Sequence, residues 1–298
     1  PVSVIIVIPA RYKSSRFAGK PLVKLLNKPM IQWVAELSAR VVGKENVYIA
    51  TEDNKIKVAV DKMGYNVVMT SENCLTGTDR LAEVAKKIDA DIYINVQGDE
   101  PLVDPKDIQK VIDFKKQYPN DVINGYTRME KNEDPQSLNK PKIIFTEDKR
   151  MVYISRQPLP GFKDPKQRSK VYYKQVCIYA FNREELLTFG NFGHKSKLEE
   201  NEDIEIIRFL EWGKTIRLVE TQPGSLAVDV VEDVEKVEAA LMKVWEWVDS
   251  DNLYIIGGND KKFLSQIKKN SKVVFFDKEQ KGFDNQFSLI RNFHEQQD

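Results

Sequence analysis

Polar and apolar positions in the first half of the chain follow two alternating rhythms. Short runs rich in Val and Ile, at 2–8, 46–50, 66–70 and 91–96, read as strands buried on both faces. Between them, apolar residues recur at helical spacing over Met30–Val42, 55–63, 79–88 and 108–118. Asp104-Pro105 marks the start of the last of these, because proline is tolerated at the first helical position. Thr78 is expected to cap the helix at 79–88, with Asp79 in its first turn. Strand and helix repeated in this way predict an open, mostly parallel sheet of the α/β class. In such sheets ligands gather beyond the carboxyl ends of the strands.

From about Asp121 strands follow one another closely. The segments Val122–Arg128, 141–146, 150–155 and 172–181 predict an antiparallel section on the substrate side. A helix at 202–212, a strand at 215–220 and a helix at 231–248 return the chain to the sheet. Beyond Ser250, strands at 253–256 and 272–276 flank a helix at 261–269. The expected organisation is one domain over 1–249 and a small appendage of unassigned role over 250–298.

Composition narrows the function. The chain has 298 residues, 41% of them hydrophobic, and its 46 basic and 45 acidic residues leave a formal charge of +1. That balance argues against a nucleic-acid coat, which carries a basic excess. Cys74 and Cys177 are far apart and no CxxC pair occurs, so neither a disulfide scaffold nor a zinc site is expected. Both thiols read as small buried apolar groups. No run approaches the roughly 18 apolar residues of a membrane span. The apolar run at 4–8 has neither the basic flank nor the cleavage site of a secretory signal. A cytoplasmic protein is expected.

Three segments carry candidate chemistry. The loop after the first strand places Arg11, Lys13, Arg16 and Lys20 among the hydroxyls of Ser14 and Ser15, with Gly19 beside Lys20. Several cations, hydroxyl donors and a glycine that permits close backbone approach suit a triphosphate. The loop is neither a Walker A nor a G-x-G-x-x-G sequence. At the end of a buried strand, Asn95-Val96-Gln97-Gly98-Asp99-Glu100-Pro101 presents two adjacent carboxylates, oxygen ligands suited to magnesium. Asp229, ending the apolar stretch Ala227-Val228, is either a helix cap or the second carboxylate such a metal site requires.

Together these segments resemble the bacterial CMP-Kdo synthetases, the 3-deoxy-manno-octulosonate cytidylyltransferases. The resemblance spans about 2–241 and rests on Pro9-Ala10-Arg11, Gly19-Lys20-Pro21-Leu22, Thr76-Gly77-Thr78-Asp79-Arg80 and the strand end at 95–101. Lys142, Ser155-Arg156, Pro223-Gly224 and Val228-Asp229, with Glu232-Asp233 beyond, continue it. It implies the Rossmann-like, GT-A-type fold of the nucleotide-diphospho-sugar transferases. It also implies transfer of CMP from CTP to the anomeric hydroxyl of an acidic sugar, with release of pyrophosphate, for lipopolysaccharide or other surface polysaccharide synthesis.

By that resemblance Arg11, Ser14 and Lys20 hold the triphosphate, and Thr76, Thr78, Arg80 and Gln97 surround cytidine. Asp99 and Asp229 hold magnesium and, with Lys20, are the catalytic residues. Lys142, Arg156, Gln175, Glu205 and Arg208 meet the sugar. A homodimer is also implied. Gln175 stands where the family has histidine, and Ile206 where it has glutamine. An altered acceptor pocket is therefore expected: an amino-substituted octulosonate, another ulosonic acid or a phosphonate. A relative that binds nucleotide without turnover is a further alternative.

Overall fold

The computed structural model describes residues 1–241 and the backbone of two later strands, 254–257 and 273–276. The chain divides into two compact units, one formed by Pro1–Lys24 and Lys28–Asp229, the other by Leu25–Asn27 and Val230–Asp298. The expected boundary at 249/250 lies outside the described residues.

In chain order the first unit opens with β1 (Val4–Pro9), and the short strands β2 (Lys24–Leu25) and β3 (Lys28–Pro29) follow. Next come α1 (Met30–Val42), β4 (Val47–Thr51), α2 (Asn54–Met63), β5 (Asn66–Met69), α3 (Gly77–Lys87), β6 (Ile92–Val96) and α4 (Pro105–Gln117). The second half holds β7 (Val122–Arg128), β8 (Lys142–Phe145), β9 (Met151–Ser155), β10 (Tyr173–Phe181), α5 (Arg183–Asn191), α6 (Lys197–Glu202), α7 (Ile207–Trp212) and β11 (Ile216–Glu220).

The strands form a sheet ordered β11-β7-β10-β6-β1-β4-β5, with the β8–β9 hairpin joined to β10. β6, β1, β4 and β5 run parallel. β10 runs antiparallel to both β6 and β7, and β11 is again parallel to β7. The central strands read as continuous apolar runs because both faces are covered. In β1, Ile5 and Val7 enter one core while Ile6 and Ile8 enter the other. The expected α/β sheet with an antiparallel substrate-side section is present.

Three local expectations are corrected. Thr76, not Thr78, caps α3: its Oγ1 accepts from the Asp79 N–H at 3.2 Å. The helix expected at 202–212 begins only at Ile207, as α7, because Asp203 at φ 52° ends the preceding α6 at Glu202. α5 was not anticipated, although Asn182 and Glu185 carry a capping-box signature that marks its start.

In the second unit, α8 (Asp233–Leu241) starts within the helix expected at 231–248. The Leu26 N–H donates to Glu238 Oε2 at 2.8 Å. β12 (Tyr254–Gly257) and β13 (Val273–Phe276) pair in parallel. The helix expected at 261–269 lies outside the described residues. Among the described residues, no helix is long and apolar enough to cross a membrane.

Candidate active site

The carboxyl ends of β1 and β6 meet beside the N-terminus of α3, and the sheet turns its chemistry into one cleft of about 460 Å³. Arg11, Ser14 and Lys20 come from the loop after β1. That loop is folded back on itself by the Gly19 N–H, which donates to the Tyr12 carbonyl at 2.8 Å. Gly19 sits at φ 71°, a left-handed conformation that glycine adopts without a Cβ clash. Thr76, Gly77 and Arg80 enter from α3, and Gln97, Gly98 and Asp99 from the end of β6. Arg80 is nearly inaccessible and is held by Thr70 Oγ1 at 2.5 Å and Glu52 Oε2 at 3.5 Å.

Lys20 Nζ donates to Asp99 Oδ2 at 3.0 Å, so the lysine of the loop after β1 rests on the carboxylate of the strand end. The Val228 N–H donates to the Asp99 carbonyl at 2.9 Å and brings the 228–229 segment to the same place. Glu100 records the crowding: burial, then the charges of Asp99 and Asp229, push its carboxyl up to about 8. Its Oε2 is inaccessible and has no hydrogen-bond partner.

The opposite wall comes from β9, β10 and the α6 region. Arg156 lines the cleft and donates to the carbonyls of Leu138 (2.9 Å), Glu202 (2.5 Å) and Asp203 (2.7 Å). Its charge meets carbonyl dipoles and stays available to an anion. Gln175, Cys177 and Tyr179 share one face of β10, as alternate strand positions must. A register shift between Val176 and Tyr179 is stapled by Asn124, whose Nδ2 donates to the Val176 carbonyl (2.9 Å) and the Ile178 carbonyl (3.2 Å). With its amide nitrogen so used, Asn124 turns Oδ1 to Gln175, which donates from Nε2 at 2.9 Å. Glu205 accepts from the Thr78 N–H at 3.0 Å, and burial raises its pKa.

Most of the residues singled out in the sequence thus line one cleft: Arg11, Ser14, Lys20, Thr76, Arg80, Gln97, Asp99, Arg156, Gln175 and Glu205. Four do not. Thr78 is buried behind the wall and offers its N–H to Glu205. Lys142 is fully buried, and its Nζ donates to the carbonyls of Ser137 (2.7 Å) and Arg156 (2.5 Å). It is a strut behind Arg156 and offers the sugar no free cation. Arg208 is fully buried against Asp79 and Glu199. Asp229 lies on the exposed segment next to Asp99, outside the cleft lining.

Ile206, taken as a change in the acceptor pocket, packs in the hydrophobic core. Only Gln175 of the two departures faces the cleft. Cys74 and Cys177, expected to be buried, are half-buried and line the cleft as free thiols. Burial pushes Cys74 up to about 11 and raises Cys177 as well, which leaves both as poor nucleophiles. Sequence reading missed Lys195, Glu199 and Asp203, which also line the cleft; Lys195 Nζ lies 3.0 Å from Asp203 Oδ1. They sit in a charged run that reads as a solvated helix face.

The chain has relatives among known proteins. A family model described as cytidylyltransferase matches residues 5–216. The 8-amino-3,8-dideoxy-manno-octulosonate cytidylyltransferase of Shewanella oneidensis is 38% identical over 248 residues, covering 80% of this chain and 99% of that one. The 3-deoxy-manno-octulosonate cytidylyltransferase of Geotalea uraniireducens is 39% identical over 253 residues, covering 81% of this chain and all of that one (100%). A solved structure of CMP:2-keto-3-deoxy-manno-octonic acid synthetase complexed with CTP superposes with a TM-score of 0.75 at 35% identity, covering 81% of this chain and 99% of that one. With the family model spanning every segment that lines the cleft, this chain belongs to the cytidylyltransferase family.

Proposed function

We propose that this enzyme transfers CMP from CTP to the anomeric hydroxyl of 3-deoxy-manno-octulosonate or its 8-amino-3,8-dideoxy counterpart. The observation that carries the reading is the single cleft. It joins a cationic loop (Arg11, Lys20), the polar start of α3 at 76–80, the carboxylate end of β6 and the carbonyl-held Arg156. The acceptor oxygen attacks the α-phosphorus, the bond to the β-phosphate oxygen breaks, and pyrophosphate leaves with the charge of that bond. Arg11 and Lys20 would hold the departing phosphates. Arg156 would clamp the acceptor's planar carboxylate, which a guanidinium can meet through two bonds. Water is kept from the α-phosphorus by the walls of 74–80 and of β10.

A magnesium ion fits the residues present. Asp99 and Asp229 lie close enough together to help raise the Glu100 carboxyl between them, with Lys20 the cation that contacts Asp99. Among the described residues no cluster of three or more ligating side chains occurs. Magnesium takes one or two carboxylates and completes its shell with phosphates and water. Asp99 and Asp229 would hold it, and it would neutralise charge on the phosphates and acidify the attacking hydroxyl. A cytoplasmic setting, where CTP and magnesium are supplied, and a homodimeric assembly belong to the same proposal; sedimentation tests the latter. The decisive experiment measures pyrophosphate release from each nucleoside triphosphate across a panel of acidic sugars, with and without magnesium. Turnover with CTP and one of the two octulosonates is expected. Release with no acidic sugar at all would overturn the reading.

A further inference from the structure

Arg208 is completely inaccessible, and each of its five N–H groups has an acceptor. Nε donates to Glu199 Oε2 at 2.8 Å. One terminal nitrogen donates to Asp79 Oδ1 (2.9 Å) and to the Phe189 carbonyl (3.1 Å). The other donates to Asp79 Oδ2 (3.1 Å) and to Glu199 Oε1 (2.7 Å). The guanidinium also lies over the Phe189 ring, 3.8 Å from its centroid. Nothing of Arg208 is left for a ligand.

Its two carboxylate partners belong to opposite walls of the cleft. Asp79 stands in the first turn of α3, and its Oδ2 accepts from Thr76 Oγ1 at 2.8 Å. Thr76 lines the nucleotide side. Glu199 lines the other side, on α6, whose C-terminal end leads into Asp203 and Glu205. A second link runs beside the first, from the Thr78 N–H to Glu205 Oε2 at 3.0 Å. Without Arg208, Asp79 and Glu199 would face each other as like charges in a space closed to water, and the walls would part. An ammonium cannot replace the fork, because a point charge does not bond two carboxylates bidentately at once.

We propose that Arg208 is a positioning residue that ties the nucleotide loop to the acceptor wall, so that CTP bound at 76–80 raises the affinity for the acceptor. The proposal rests on the CMP-transfer reading above. Coupling between two sites is reciprocal, so the acceptor must tighten CTP by the same factor. Fixing Thr76 and Asp79 fixes Arg208, and Arg208 fixes Glu199 and the turn that presents Asp203 and Glu205.

The test is a grid of initial rates of pyrophosphate release, varying CTP and Kdo together, for wild type, Arg208→Lys and Asp79→Asn, with a melting curve for each. In wild type the KM for Kdo should fall about fivefold or more from low to saturating CTP. In both variants that fall should shrink below about twofold, while kcat at saturation of both substrates changes less than KM. Arg208→Lys breaks the fork from one end and Asp79→Asn from the other, so either variant that folds carries the test. A merely structural role predicts a lower melting temperature and a lower kcat with the CTP dependence of KM intact. That result overturns the proposal. So does a wild-type KM for Kdo that ignores CTP, which needs no variant. If wild type releases no pyrophosphate from CTP with any acidic sugar, the reaction assignment fails first and the coupling falls with it.

Discussion

Adding a single methyl group at Gly98 should misplace the end of β6 that carries Asp99 without unfolding the protein. A Cβ at this position would lie 3.2 Å from the Pro9 carbonyl oxygen, 3.3 Å from Ile31 Cδ1 and 3.4 Å from Ile8 Cγ2. Ile8 and Ile31 are completely buried, so neither side chain has open space to yield into. The Pro9 oxygen is the backbone end of β1 itself. Relief must come from Gly98 moving away from β1, by about 0.4 Å to reach an ordinary contact, and Gln97 and Asp99 move with it. Overpacking of this kind costs about 1–3 kcal/mol. For a chain of this size that lowers the melting temperature by about 2–4 °C per kcal/mol, which leaves a folded protein. A misplacement of 1 Å at a reacting centre can cost about 100-fold, so a shift of about 0.4 Å should lower kcat roughly tenfold.

The backbone angles of Gly98 are not left-handed, so alanine adds bulk there without backbone strain. The assay is pyrophosphate release at saturating CTP, sugar and magnesium, beside melting curves for Gly98→Ala and a control, Gly161→Ala. Nothing lies within 4 Å of a Cβ at Gly161. The control should match wild type in rate. A Gly98→Ala enzyme with wild-type kcat would show that the strand end tolerates displacement, and the packing argument would be refuted.

On the proposed magnesium-holding role, replacing Asp99 or Asp229 by Ala should lower kcat at least about 100-fold with little change in melting temperature; near-normal rates in Asp229→Ala would remove it from the proposed metal site. CTP should be favoured over ATP and GTP by at least about 100-fold in kcat/KM, since a mismatched polar edge against the start of α3 at 76–80 leaves donors unpaired; equal rates with a purine triphosphate would contradict this. Lys115→Met should destabilise the fold by about 3 kcal/mol and leave the KM for CTP unchanged. The lysine is buried 2.6 Å from Glu185 Oε1, where α4 meets the start of α5. A melting temperature within a degree or so of wild type would show that Lys214, 2.9 Å from Glu185, suffices alone.

What the sequence by itself determined is what neighbouring residues determine among themselves. Apolar runs covered on both faces specify parallel strands, and the cationic loop after β1, the 76–80 loop and the 97–99 strand end are each contiguous. Their place at the carboxyl edge of the sheet follows from the fold class. The capping boxes of α5 and α6 were legible too, and reading them would have placed the starts of both helices. Tertiary structure alone decided which charges face the cleft. Arg156 and Lys142 both read as cations for the sugar, yet one lines the wall and the other is sealed behind it between carbonyl groups. Arg208 is taken up by Asp79, 129 residues away, and Ile206 turns into the core instead of the pocket. The orientation of Gln175 depends on Asn124, 51 residues earlier, through a bulge that no spacing announces. A charged or amide side chain looks the same in sequence whether it waits for a ligand or holds another part of the protein. The difference lies in the partner, and partners distant along the chain are chosen only when the sheet brings them together.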